Sequence, residues 1–362
     1  MDFAHLRSHF PVLEGVVYLN AGTCGPLPSA ARHAQEQMYD LGERDGRRMP
    51  YFERMLAFQD RQRDAYARLL HAHPQDVALT TATSEGVMRV LAGLELSQGD
   101  EIVTSDAEHP GVEGPLLQAR ARYGVTITRV PLAQIPEAVT STTKLVACSH
   151  VGWVTGDVAP DLSAVGKDVP VLLDGAQGVG AIPVDVKQLG CAFYAGSGQK
   201  WLCGPVGTGM LYVAPEWQER LAPAGPSYTG YNEPYGDPDA WQLHAGARRH
   251  DTAALPGEAS AAAVAAHDLL DGLGWEHVHA RASSLARNLA GQLREAGRTV
   301  GPRGDTTLVS WEDPDPAATV ERLAHRGVAI RNLPNTPYLR ASVGAWNDES
   351  DLDRLLEALA AG

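Results

Sequence analysis

The stretch AGSGQKWLCGPVGTG, residues 195–209, sets five glycines around Lys200 in a chain with only four lysines. Glycines this dense mark tight turns or a backbone that something approaches closely. A lysine in a turn is ordinarily a solvated surface residue. Lys144, Lys167 and Lys187 suit that description, each opening a strand or lying in a turn or polar stretch. Lys200 alone has small residues on both sides that would admit a planar ligand to its amine, where a Schiff base with a carbonyl could form.

Three other stretches carry residue types that would complement such an amine. LLDGAQGVG (172–180) ends an apolar run on Asp174, and the carboxyl ends of strands in open α/β sheets are where ligands bind. An acid there either caps the following turn or pairs with a protonated ring nitrogen. TATSEG (81–86) reads as a strand-to-helix junction with Thr83, Ser84 and Glu85 at the helix start. Unpaired amides and the dipole make that end suited to a phosphate, and equally to an ordinary cap. EIVTSDAEH (101–109) reads as a strand ending on His109, a ring able to stack on a flat ligand.

From residue 77 the chain alternates apolar runs with helical stretches, with strands expected at 77–83, 101–109, 125–132, 144–151, 169–175, 191–198 and 207–214. Strands separated in this way imply a mostly parallel sheet covered on both faces. Residues 222–242 are rich in Gly, Pro and Tyr and read as a long irregular connection. Helices at 259–273, 279–297 and 348–360, with short strands at 306–313, 328–333 and 338–344, form a smaller α+β unit.

Together and in this order, D-G-A-Q, S-G-x-K and G-P-x-G-x-G-x-L-Y resemble the fold-type I pyridoxal-phosphate (PLP) enzymes of the class V aminotransferase family. The branch holding cysteine desulfurases and isopenicillin N epimerase-like proteins is the most similar. The resemblance implies a large domain over 21–245, with a seven-stranded sheet flanked by helices, and a small α+β domain from 1–20 and 246–362. It implies Lys200 as the Schiff-base lysine and later proton shuttle, Asp174 on the pyridine nitrogen, Gln177 on the phenolic oxygen and His109 on the ring face. Thr83, Ser84, Glu85, Ser197 and the helix-start amides would hold the phosphate, with Gln199 where many relatives carry a histidine. Arg340 would grip the substrate α-carboxylate, with Arg331 near it and Trp153 where many relatives have an asparagine. The planar guanidinium fork suits a carboxylate better than an ammonium would.

Two departures bear on the reaction. Desulfurases carry a nucleophilic cysteine between the positions of Arg331 and Arg340, and NLPNTPYL contains none. RRHDTAALPG (248–257) lacks the Gly-Thr that often binds the partner subunit's phosphate, with Thr252 as a possible substitute. Without the sulfur relay, the expected order is β-elimination of a cysteine-derived substrate through an α-carbanion, then epimerisation, then transamination, with persulfide-forming desulfuration disfavoured. NAGTCGP and the tyrosines 228, 231 and 235 are expected to line the pocket.

The remaining composition narrows the partners. A formal charge of −14 argues against a polyanion, and no stretch approaches the ~18 apolar residues that span a bilayer. The N-terminus lacks a secretory pattern, so a cytoplasmic protein is expected. Four cysteines without CxxC or CxxH spacing argue against structural zinc, and no metal is expected. No GxGxxG follows an early strand, which excludes a Rossmann dehydrogenase. The resemblance further implies a homodimer with its active site at the interface and a small amino-acid substrate.

Overall fold

The computed structural model describes residues 2–361. In chain order the helices are α1 (Phe3–Ser8), α2 (Ser29–Arg44), α3 (Met49–Leu69), α4 (Thr83–Gly93), α5 (Pro110–Tyr123), α6 (Ile135–Ala138), α7 (Gly257–Asp271), α8 (Trp275–Glu295), α9 (Pro316–His325) and α10 (Glu349–Ala360). The strands begin with β1 (Val17–Tyr18), β2 (Val77–Thr80), β3 (Glu101–Ser105), β4 (Thr126–Val130), β5 (Thr143–Ser149), β6 (Val171–Asp174), β7 (Phe193–Ser197) and β8 (Gly209–Val213). They continue with β9 (Tyr231–Asn232), β10 (Gln242–Leu243), β11 (Leu308–Glu312), β12 (Val328–Ala329), β13 (Arg331–Asn332) and β14 (Tyr338–Ser342).

Seven strands form one sheet in the order β2-β8-β7-β6-β5-β3-β4. Only β8 runs against its neighbours, so the other six point the same way and bring their carboxyl ends to one edge. Strands β2, β6, β7 and β8 are buried along their whole length, as expected of strands covered on both faces. Alternate residues feed two cores. Leu79, Val146, Val171 and Leu173 pack under Tyr66 and Leu69 of α3 and Leu70, which caps it, whereas Ala78, Ala147, Leu172 and Leu211 pack under α4 and α5.

The alternating sequence pattern begins at residue 77, and the structure adds α2 and α3 before it, both packed against α7. Strands are also shorter than the apolar runs suggest. β2 stops at Thr80, and β3 stops at Ser105, four residues before His109. His109 is instead the N-cap of α5, because Pro110 supplies a pre-set helical φ at the first position. A second, antiparallel sheet of β11-β14-β13 carries Arg340 and Arg331. The N-terminal β1 pairs with β12, and Asn20 bridges Ser342, so residues 17–20 lie against this sheet.

Candidate active site

Where the strands of the large sheet end, a cavity of about 220 Å³ opens. Its walls come from Gly22 and Thr23, the start of α4, the ends of β6 and β7, and the two arginines of the small sheet. Thr83, Ser84, His109, Trp153, Asp174, Gln177, Ser197, Gln199, Lys200, Arg331 and Arg340 all line it. Glu85 does not. Its carboxylate accepts from the Thr81 amide and hydroxyl and pairs with Arg89, which ties down the first turn of α4. Gly22 and Thr23 come from NAGTCGP as expected, but the tyrosine-rich connection stays out of the cavity. Its β9–β10 hairpin stands at the surface, with Tyr228 and Tyr235 exposed.

Lys200 follows the end of β7 in a tight turn. Gly25 closes on it so nearly that a Cβ there would lie 2.1 Å from the Lys200 carbonyl. Burial lowers the Lys200 amine to about 8; Asp174 opposes this, while Arg340 and Arg331 reinforce it. Asp174 is buried at the end of β6 and accepts from the Ala176 amide at 2.8 Å. Burial raises its carboxyl above the usual range, and the Lys200 charge pulls it back down. Gly175 and Gly178 are required beside it, because a Cβ on either would fall 2.0 to 2.4 Å from the Tyr194 ring or hydroxyl. Gln177 donates to the Gly22 carbonyl at 2.8 Å and accepts from the Trp201 indole at 3.0 Å, which fixes its amide orientation.

His109 accepts from the Gly111 amide through Nδ1 at 3.0 Å and meets Trp153 edge-on, with ring centroids 5.1 Å apart. Burial, with the charges of Lys200, Arg331 and Arg340, lowers it to about 4, so the ring is neutral at ordinary pH. Trp153 donates its indole N–H to the Ala107 carbonyl and offers its own carbonyl to Arg340 Nη1 at 2.6 Å. In the sequence Trp153 stands out only as a departure from an asparagine; the backbone contact that aims Arg340 has no sequence signal.

The polar atoms left over test which ligand fits. Ser197 Oγ, Thr83 Oγ1 and Gln199 Oε1 are buried without partners among the described residues. Arg340 is fully buried, yet its Nε and Nη2 have no acceptor among the described residues. Buried polar groups are ordinarily satisfied. Unmet hydroxyls beside a helix start suit a phosphate, and an unmet guanidinium fork suits a carboxylate. With Lys200 for a carbonyl and Asp174 for a ring nitrogen, the donor set fits PLP and an amino acid. Fold and site together define a fold-type I PLP-dependent enzyme.

Comparison with known proteins gives the family. Residues 17–355 match the model of aminotransferase class-V, and the chain belongs to that family. It is 31% identical to the cysteine desulfurase CsdA of Escherichia coli, covering 98% of this chain and 96% of that protein. It is 27% identical to the isopenicillin N epimerase of Streptomyces clavuligerus, covering 99% and 98% respectively. Among solved structures, a mutant of C-DES with glycine covalently linked to its PLP cofactor superposes with a TM-score of 0.91 at 28% identity, over 98% of each chain. The cystine C-S lyase C-DES with its product cysteine persulfide gives 0.89 at 27% identity, over 97% of this chain and 99% of that one.

Proposed function

We propose that the protein is a PLP-dependent C–S lyase that eliminates the β-substituent of a cysteine-derived amino acid. The observation that carries this is the conjunction of an amine and a carboxylate-ready guanidinium in one cavity, with no cysteine anywhere after residue 203 to accept sulfur. Similarity to a cystine C-S lyase supports the same reading. Bound PLP supplies an electron sink for the pair released from Cα.

The residues of this chain do the rest. Thr83, Ser84 and Ser197 would hold the phosphate at the start of α4, and the neutral His109 ring would cover the cofactor ring. Asp174 would keep the pyridine nitrogen protonated. Arg340 binds the α-carboxylate through Nε and Nη2 while Nη1 stays on the Trp153 carbonyl. Arg331, donating to the Thr23 hydroxyl and the Asn332 carbonyl, has no carboxylate partner among the described residues and adds positive charge on the substrate side. Lys200 Nζ takes the α-proton, and a group with its pKa near 8 can both accept and return a proton at neutral pH. As the Cβ–S bond breaks, the sulfur leaves with the bonding pair and receives a proton, with Lys200 as the donor. Water then converts the remaining fragment to pyruvate and ammonia. The site is expected to be completed across a homodimer interface, with Thr252 the candidate for the missing Gly-Thr contact.

A panel of cystine, cysteine S-conjugates and unsubstituted amino acids tests the proposal. Pyruvate and ammonia in equal amounts are expected from the sulfur compounds. A keto acid with pyridoxamine phosphate would make it an aminotransferase. Racemised substrate without pyruvate would favour epimerisation, the activity named for a relative that matches over nearly the whole chain.

A further inference from the structure

Glu108 immediately precedes His109 and is buried, yet the steps above do not use it. Its carboxylate accepts three hydrogen bonds, from the Ser149 amide at 2.8 Å, the Ser149 hydroxyl at 2.6 Å and the Ser105 hydroxyl at 2.6 Å. Ser105 ends β3 and Ser149 ends β5. These neighbouring strands stop pairing at Val103 and Val146, so the serines lie on ends that have already separated. Separation of strands at their carboxyl ends opens the crevice in which a ligand sits. Glu108 is the side chain that bridges it.

Both ends of the bridge lead into the active site. On one side the next residue is His109, whose ring is steadied by Gly111 and Trp153. On the other, Ser149 pairs in register with Asp174, and the His150 amide donates to the Asp174 carbonyl at 2.9 Å.

We propose that Glu108 is a positioning residue that, by tying the separated ends of β3 and β5 through Ser105 and Ser149, sets His109 and Asp174 at the spacing a flat cofactor ring requires. It rests on the cofactor assignment above and adds a residue that does not touch the cofactor. Burial raises the Glu108 carboxyl to about 7 against the three donors, and the Asp174 charge adds to the rise. Asp174 and the buried Cys148 thiol are the titratable groups facing it from the adjacent strands. Serine hydroxyls can donate to a carboxylate or accept from the protonated acid. The bridge therefore depends on shape, and a glutamine could make it equally well.

The experiment compares wild type, Glu108→Gln, Glu108→Ala and Ser105→Ala as PLP-loaded proteins, by visible circular dichroism and by titration of the apo-proteins with PLP. Glu108→Gln should match wild type within about twofold in both, whereas Glu108→Ala should lose more than about half the visible signal and bind PLP at least ~10-fold more weakly. Ser105→Ala removes one bond of three and should fall between, which keeps the test open should Glu108→Ala fail to fold. Wild-type signal and affinity in Glu108→Ala or, should that variant not fold, in Ser105→Ala would overturn the proposal. So would a Glu108→Gln defect as large as that of alanine, since charge and not the bridge would then matter. A wild-type protein that binds PLP but yields no pyruvate would contradict the lyase assignment and leave this test intact.

Discussion

Arg340 should be worth more to the protein as a methionine than as an arginine until substrate arrives. Its guanidinium is fully buried, makes one bond to a carbonyl, leaves Nε and Nη2 without acceptors, and faces the charge of Arg331. Burial first, and Arg331 second, lower it to about 9. That displacement corresponds to a penalty on the order of 4–5 kcal/mol for holding the charge in the apo-protein. Arg340→Met removes the penalty at the cost of the Trp153 bond and some packing, together about 2–3 kcal/mol. The net gain of ~1–3 kcal/mol should raise the melting temperature of the apo-protein by about 1–4 °C. Substrate binding moves the other way. Losing two charge-assisted bonds to the α-carboxylate costs about 3–5 kcal/mol, or roughly 10²–10⁴-fold in kcat/KM. The assay pairs calorimetry of the apo-protein with steady-state kinetics on a cysteine conjugate. A variant that is less stable than wild type, or that keeps its kcat/KM, would refute the assignment of Arg340 as an unpaired cation awaiting a carboxylate.

Other expectations follow from the same geometry. Because burial holds the Lys200 amine near 8, the rate at which the apo-protein captures PLP should rise about tenfold per pH unit below pH ~8 and level off above it; a plateau reached only near ~10 would mean an ordinary lysine. Asp174→Asn should still capture PLP but lose roughly 10²–10³-fold in turnover, measured by pyruvate release, since one preorganised charge is gone. Gly175→Ala drives a Cβ to 2.0 Å from the Tyr194 ring and should destabilise the fold by about 3 kcal/mol or more, read by urea unfolding.

Much of this site was legible in the sequence, for a physical reason. Strands buried on both faces leave continuous apolar runs, so all seven strands of the large sheet could be located, and the chemistry sits where those runs end. Lys200 and Asp174 stand at such ends. Arg340 was legible only through family resemblance, since a strand sequence does not reveal that its guanidinium lacks an acceptor. α2 and α3 were harder to see, because α3 buries Gln62 and Arg63 along with its apolar residues. The Arg63–Asp251 pair that allows this spans 188 positions, beyond any local pattern. His109 looked like the last residue of a strand because EIVTS runs smoothly into DAEH; the turn that makes it a helix cap depends on the Asp106 amide reaching Val130 on the neighbouring strand. Glu85 has the position of a phosphate ligand, but a nearby arginine and threonine claim its carboxylate. The tyrosines of the long connection match a pocket in composition alone.

The central claim is that Lys200, one of four lysines, carries the cofactor carbonyl. Borohydride reduction of the PLP-loaded protein followed by peptide mass spectrometry tests it most directly. A single phosphopyridoxyl label on Lys200, absent from Lys200→Ala together with the absorbance near ~420 nm, is the predicted result. A label on Lys144, Lys167 or Lys187, or none on a protein that still eliminates pyruvate, would contradict it.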